Sequence, residues 1–108
     1  RLIDAFNMLN NYQIKMVLLN CNPLDRTNIA VDNIMDNWVG SWGIYPNLGK
    51  GEPSPDGCIT EHEPIVKYVS VIEYAIKNGA SAVGACCGSS PKHIAEIKKL
   101  KYDFAKQL

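Results

Sequence analysis

Residues Asn78 to His93 read NGASAVGACCGSSPKH, and the architecture follows from how that stretch divides. Asn78-Gly79 is a helix stop, because glycine takes the left-handed turn that closes a last helical turn. Ala80 to Gly84 is a short apolar run, read as a buried strand. Ser90 caps the next helix, and Pro91 stands in its first turn, where a missing N–H costs nothing. Between strand and helix lie Ala85-Cys86-Cys87-Gly88. Helix, strand, turn and helix in such quick succession form one piece of a parallel βαβ arrangement.

The same rhythm continues on both sides. Towards the C-terminus, Ile94, Ile97, Leu100 and Phe104 make a helical apolar stripe. Before Asn78, Ile65, Val66, Val69, Ile72 and Ile76 make another. A Gly-, Pro- and charge-rich segment, Asn47 to Glu61, reads as a loop, and Val39 to Tyr45, closed by Pro46, as a strand. Thr27 is the expected N-cap of a helix carrying Ala30, Val31, Ile34 and Met35. Ile14 to Leu19 is a buried strand that runs into Asn20-Cys21-Asn22-Pro23, and Leu2, Ile3, Phe6 and Leu9 share a helical face that stops at Asn10-Asn11.

Helices and strands therefore alternate, which predicts an α/β fold with parallel strands. Three such strands with helices on one side leave two edges unpaired and one sheet face bare. A closed (β/α)8 TIM barrel needs ~250 residues. The expectation is that residues 1–108 form the C-terminal portion of such a barrel, about three βα units, and that the natural start precedes Arg1. A small open sandwich complete in itself is the competing architecture.

Composition narrows the function classes. The chain has 108 residues, 11 Lys+Arg against 11 Asp+Glu, and 46% hydrophobic residues. Balanced charge argues against nucleic acid, whose binding rests on a basic surface. No apolar run approaches the ~18–20 residues that span a bilayer, so no membrane partner is expected. The apolar content is too high for a disordered tail. A soluble cytoplasmic protein is the expectation.

Three of the four cysteines sit just after a strand: Cys21 after the first, Cys86 and Cys87 after the third. In a parallel barrel the C-terminal strand ends form one face, so the three sulfurs would meet there. Adjacent residues on a regular strand point to opposite faces, so Cys86 and Cys87 must lie where the backbone leaves the strand, a freedom that Gly84 and Gly88 supply. Three converging thiolates suit Zn2+, and three protein ligands leave a tetrahedral position open, as in catalytic zinc sites. A soft exogenous sulfur fits that position, and a thiol bound there would lose its proton yet stay nucleophilic. Competing readings are plain packing of the Cys pair, a thiol–redox role for it, or disulfides in any of three pairings. Cys58 and His62 have a ligand-like spacing but lie in a polar loop without a partner pair, so they are set aside. His93 reads as a surface residue, and Trp38 and Trp42 as core or subunit-contact residues.

At Gly84-Ala85-Cys86-Cys87-Gly88-Ser89-Ser90-Pro91-Lys92-His93-Ile94 the sequence resembles the homocysteine S-methyltransferase family, whose usual form is close to GGCCGTTPxHI. Asn20-Cys21 resembles the family's G-x-N-C element, with Leu18 in place of the glycine, and Tyr45-Pro46-Asn47-Leu48-Gly49 its YPNxG element. The resemblance implies a zinc-dependent barrel enzyme that methylates homocysteine to methionine. It aligns Cys21, Cys86 and Cys87 with the zinc ligands. Asn20, Tyr45 and Asn47, at strand ends beside them, become candidate substrate-binding residues. Homocysteine and a methyl donor are the implied partners. The Asn47–Glu61 loop fits the simpler single-domain enzymes, which favours S-methylmethionine or S-adenosylmethionine, with betaine and a methylfolate–cobalamin system open. A chain of this length alone is expected not to turn over. The alternative is a non-catalytic zinc-binding or interaction remnant of the barrel.

Overall fold

The computed structural model describes residues 1–50 and 54–106, except the side chains of residues 102 and 104–106. The elements are α1 (Leu2–Leu9), β1 (Met16–Asn20), α2 (Leu24–Asn37), β2 (Ser41–Tyr45), α3 (Ile65–Lys77), β3 (Ala82–Val83) and α4 (Pro91–Lys106). This is the alternating order expected from the sequence. The strands form one parallel sheet in the order β1-β2-β3.

Register decides which side chains meet the helices. Val17 pairs with Trp42, Leu19 with Ile44, and Ile44 with Val83. These residues turn to the helical side, where Trp42 and Ile44 join Phe6 of α1, Val31 and Ile34 of α2, and Tyr68 and Ile72 of α3 in one core. Ile97 and Leu100 of α4 pack on its margin, whereas the Phe104 side chain lies outside the described residues. Successive strand residues alternate between faces, so the other face carries Met16, Leu18 and Asn20 opposite Ser41, Gly43 and Tyr45. Met16 and Leu18 are 40% and 45% exposed there. Gly43 is buried between its neighbours: a Cβ on it would run into the Leu18 side chain and the Ala82 backbone.

Several local expectations are corrected. Thr27 does not cap α2; the helix starts at Leu24 after Pro23, whose φ of −55° and ψ of 137° lead straight into it. The Thr27 hydroxyl, fully buried inside the helix, donates instead to the Pro23 carbonyl at 2.9 Å. Strand β2 begins at Ser41, not Val39, because Val39 is 92% exposed and the Trp38 indole N–H donates to the Ser41 carbonyl across the intervening turn. Strand β3 is only Ala82–Val83. At α4, the Ser90 N–H donates to His93 Nδ1 at 3.1 Å, so a histidine three residues on plays the part that Glu or Gln takes in a capping box. His93 is thereby half-buried, with the Tyr68 ring edge-on to it at 5.4 Å. Trp38 and Trp42 are both core residues.

Candidate metal centre

The first cysteine follows β1 directly. Cys21 has φ of 57°, the left-handed region, and is the one non-glycine residue there among those described. Its N–H continues the ladder to the Tyr45 carbonyl at 3.0 Å, and its own carbonyl accepts from Asn47 Nδ2 at 3.1 Å. The main chain bends at this point from strand into the Asn22-Pro23 entry to α2.

The other two cysteines lie beyond β3. The Gly84 N–H donates to the Ile44 carbonyl at 2.9 Å, and the Gly84 carbonyl accepts from the Tyr68 hydroxyl at 2.8 Å. Tyr68 is fully buried, and that burial pushes its phenol well above the ordinary range. Beyond Gly84 the Cys86 N–H reaches the Pro46 carbonyl at 2.9 Å, and the Cys87 carbonyl accepts from the Leu48 N–H at 2.8 Å. Gly88, at φ of 80°, closes the turn, while Gly84 adopts no left-handed conformation. Left-handed backbone at the cluster is thus found at Cys21, after β1, and at Gly88, not at Gly84. A side chain at Gly88 would press on His62 and Ile59, both at 3.2 Å, so the loop after β2 lies against the turn.

The three sulfurs converge as expected from their places after the strands. All lie within 4.8 Å of one another and all three residues are half-buried. Cys21 and Cys87 sulfurs are 3.4 Å apart, Cys86 and Cys87 sulfurs 3.9 Å. Cys21 and Cys86 are paired as a disulfide with their Cα atoms 5.5 Å apart. Tetrahedral zinc with ~2.3 Å Zn–S bonds needs sulfurs roughly 3.5–4 Å apart. Two of the pairs stand at or close to that spacing. The third must be reduced before both sulfurs can bind a metal, since each metal ligand is a thiolate. The donor set therefore fits zinc in the reduced state, and the disulfide and a three-thiolate metal are mutually exclusive occupants of the same atoms.

The remaining sequence-predicted residues separate. Asn20 is exposed, its Oδ1 3.8 Å from Cys86 Sγ. Tyr45, its register partner, is half-buried on the same face. Asn47 is fully buried, and both ends of its carboxamide are engaged: Nδ2 with the Cys21 carbonyl, Oδ1 with the Gly49 N–H at 3.2 Å. Cys58 stands apart, exposed in a turn where Asp56 accepts from the Ser54 hydroxyl and the Cys58 N–H. Those bonds, from Ser54 first, hold the Asp56 carboxyl below its usual range. His62 pairs antiparallel with Gly49 and is not one of the grouped metal donors. Sequence reasoning missed Tyr68. Its signal was a tyrosine within the α3 apolar stripe, since a buried phenol needs a partner for its hydroxyl.

A parallel sheet that collects three half-buried cysteines at its strand exits defines an α/β protein with a candidate thiolate metal centre. The chain belongs to the homocysteine S-methyltransferase family, whose model matches residues 1–100. Among solved structures it is similar to the homocysteine methyltransferase MmuM from Escherichia coli in its apo form, with a TM-score of 0.67 at 23% identity. That likeness covers 91% of this chain and 32% of the MmuM chain, so the chain spans about a third of the protein it resembles. No curated protein sequence matches it. Among the described residues no helix is long and apolar enough to cross a membrane.

Proposed function

We propose that this chain supplies the thiol-activating part of an enzyme that transfers a methyl group to homocysteine, with Cys21, Cys86 and Cys87 as the ligands of a zinc ion. The observation that carries this is the meeting of three cysteine sulfurs within 4.8 Å at the exits of β1 and β3. Residues 1–108 are then the C-terminal portion of a (β/α)8 barrel. In support, the strands are parallel, the core of the described residues lies on the helical face, and the other face, with Met16 and Leu18 exposed, is what a barrel interior would cover.

Bound zinc would supply positive charge that favours the ionised form of a substrate thiol at neutral pH, and a fixed place for it. The chain's part is to hold three ligands and leave the fourth direction open. The homocysteine thiol gives its proton to solvent. Its sulfur lone pair forms the new bond to the methyl carbon as the bond from that carbon to the donor breaks. With S-methylmethionine or S-adenosylmethionine as donor, the leaving pair neutralises the sulfonium, and methionine and a thioether result. In this reading Asn20 and Tyr45, register partners at the strand ends, hydrogen-bond the substrate. Asn47 stands behind them, against the Cys21 carbonyl. A cytoplasmic, reducing setting suits three free thiols.

Zinc titration of the protein tests this. After reduction, wild type is expected to bind one zinc per chain and Cys87→Ser none. Oxidation that joins Cys21 to Cys86 is expected to lower zinc binding, because sulfurs bonded to each other cannot serve as thiolate ligands. Homocysteine should then alter the absorption of the cobalt(II)-substituted protein, which separates a thiol-activating site from a closed structural one. Zinc retained in full by Cys87→Ser would overturn the ligand assignment.

A further inference from the structure

The exit of β2 touches both cysteine-bearing turns. Tyr45 and Pro46 accept through their carbonyls from the N–H groups of Cys21 and Cys86, at 3.0 and 2.9 Å. The Asn47 and Leu48 N–H groups donate to the Asn22 and Cys87 carbonyls, at 3.0 and 2.8 Å. These four bonds are main chain to main chain and do not depend on side-chain identity. The fifth is different: Asn47 Nδ2 donates to the Cys21 carbonyl at 3.1 Å.

That carbonyl belongs to the residue with φ of 57°. A left-handed conformation costs a non-glycine residue on the order of 1–2 kcal/mol and persists where its surroundings fix it. Asn47 is fully buried, so water cannot take over its role. Its Oδ1 is fixed by the Gly49 N–H, and this orients the amide so that Nδ2 faces Cys21.

We infer that Asn47 is a positioning residue for the metal centre: its carboxamide holds the Cys21 peptide in the left-handed conformation that brings the Cys21 sulfur to Cys86 and Cys87. This rests on the metal reading above. Asn47 acts through the Cys21 main chain, not by ligating. Asparagine is required over aspartate because the position needs a donor towards Cys21 and an acceptor towards Gly49 at once.

The test is cobalt(II) titration of the reduced protein with zinc competition, comparing wild type, Asn47→Asp and Trp38→Phe. Asn47→Asp keeps the shape and the acceptor for Gly49 but sets a carboxylate oxygen against the Cys21 carbonyl. Affinity is expected to fall roughly 10- to 100-fold, the usual effect of losing an outer-shell partner. Thiolate-to-cobalt charge-transfer absorbance per bound metal should also fall, from a three-thiolate towards a two-thiolate value. Trp38→Phe deletes the 3.1 Å bond to the Ser41 carbonyl at the opposite end of β2. It should lower thermal stability and leave both metal readouts alone. If Asn47→Asp does not fold, Asn47→Ser, which adds no charge, carries the same expectation. Wild-type affinity and absorbance in the Asn47 variant, or an equal loss in Trp38→Phe, would overturn the inference. A reduced wild-type protein that binds no cobalt would instead overturn the metal reading beneath it.

Discussion

Replacing Tyr68 with Phe removes a single oxygen whose two roles can be measured separately. At neutral pH the hydroxyl donates to the Gly84 carbonyl at 2.8 Å inside the core. Losing such a bond costs about 1 kcal/mol net, which for a domain of this size lowers Tm by roughly 4–8 °C. The second role appears in alkali. Burial raises the Tyr68 pKa from its ordinary value of 10.0. The folded chain therefore keeps the phenolic proton after the unfolded chain has released it. Wild-type stability is complete below pH 10 and falls as pH rises beyond it, approaching ~1.4 kcal/mol per pH unit. The Phe variant has no such loss. Its deficit of about 1 kcal/mol should shrink above pH 10 and vanish between about pH 10.5 and 11, by the same linkage arithmetic. Urea unfolding of both proteins at a series of pH values, reduced and metal-free, gives the difference directly. Subtraction cancels every shared titrating group, including Tyr74, whose pKa is raised by its hydrogen bond to Asp32. A difference that stays constant from pH 8 to 11 would refute the reasoning.

Two further substitutions bear on the site's surroundings. Cys58→Ser should leave zinc stoichiometry unchanged and stability within about 0.5 kcal/mol, while the count of titratable thiols in the reduced protein falls by one; lost zinc would mean that Cys58 is a ligand. Gly88→Ala places a Cβ at φ of 80°, 3.2 Å from His62 and Ile59. It should cost about 1–2 kcal/mol in thermal unfolding, and an unchanged Tm would show that this turn tolerates another conformation.

The alternation of elements was legible because apolar spacing and the Gly and Pro stops are local signals. The meeting of Cys21 with Cys86 and Cys87 was legible at one remove, since parallel strands bring their exits to the same side. What escaped the sequence depends on tertiary partners. Nothing around Cys21 announces a left-handed residue, whose carbonyl accepts from an asparagine just beyond the next strand. The start of α2 is ambiguous in the sequence because a threonine hydroxyl such as that of Thr27 can cap a helix or bond back to the carbonyl four residues earlier, and only the fold selects between them. Val39 has strand propensity, yet it is 92% exposed and lies before the first β1–β2 register pair, Met16 with Ser41. Asn47 stood out in its motif; its burial beneath the cluster did not.

The sulfurs of Cys21 and Cys86 come from the two outer strands and meet across the end of the strand between them. Whatever joins them, a shared metal or a direct bond, fastens a chain loop with a sequence separation of 65 residues. By the chain-entropy relation, closing a loop of that length is worth about 4 kcal/mol against the unfolded chain, comparable to a small domain's whole margin of stability. The atoms proposed to activate a substrate thus also act as a clasp on the sheet. Stripping the metal under reducing conditions would slacken the frame as well as silence the chemistry, and resistance to proteolysis would rise and fall with ligand occupancy.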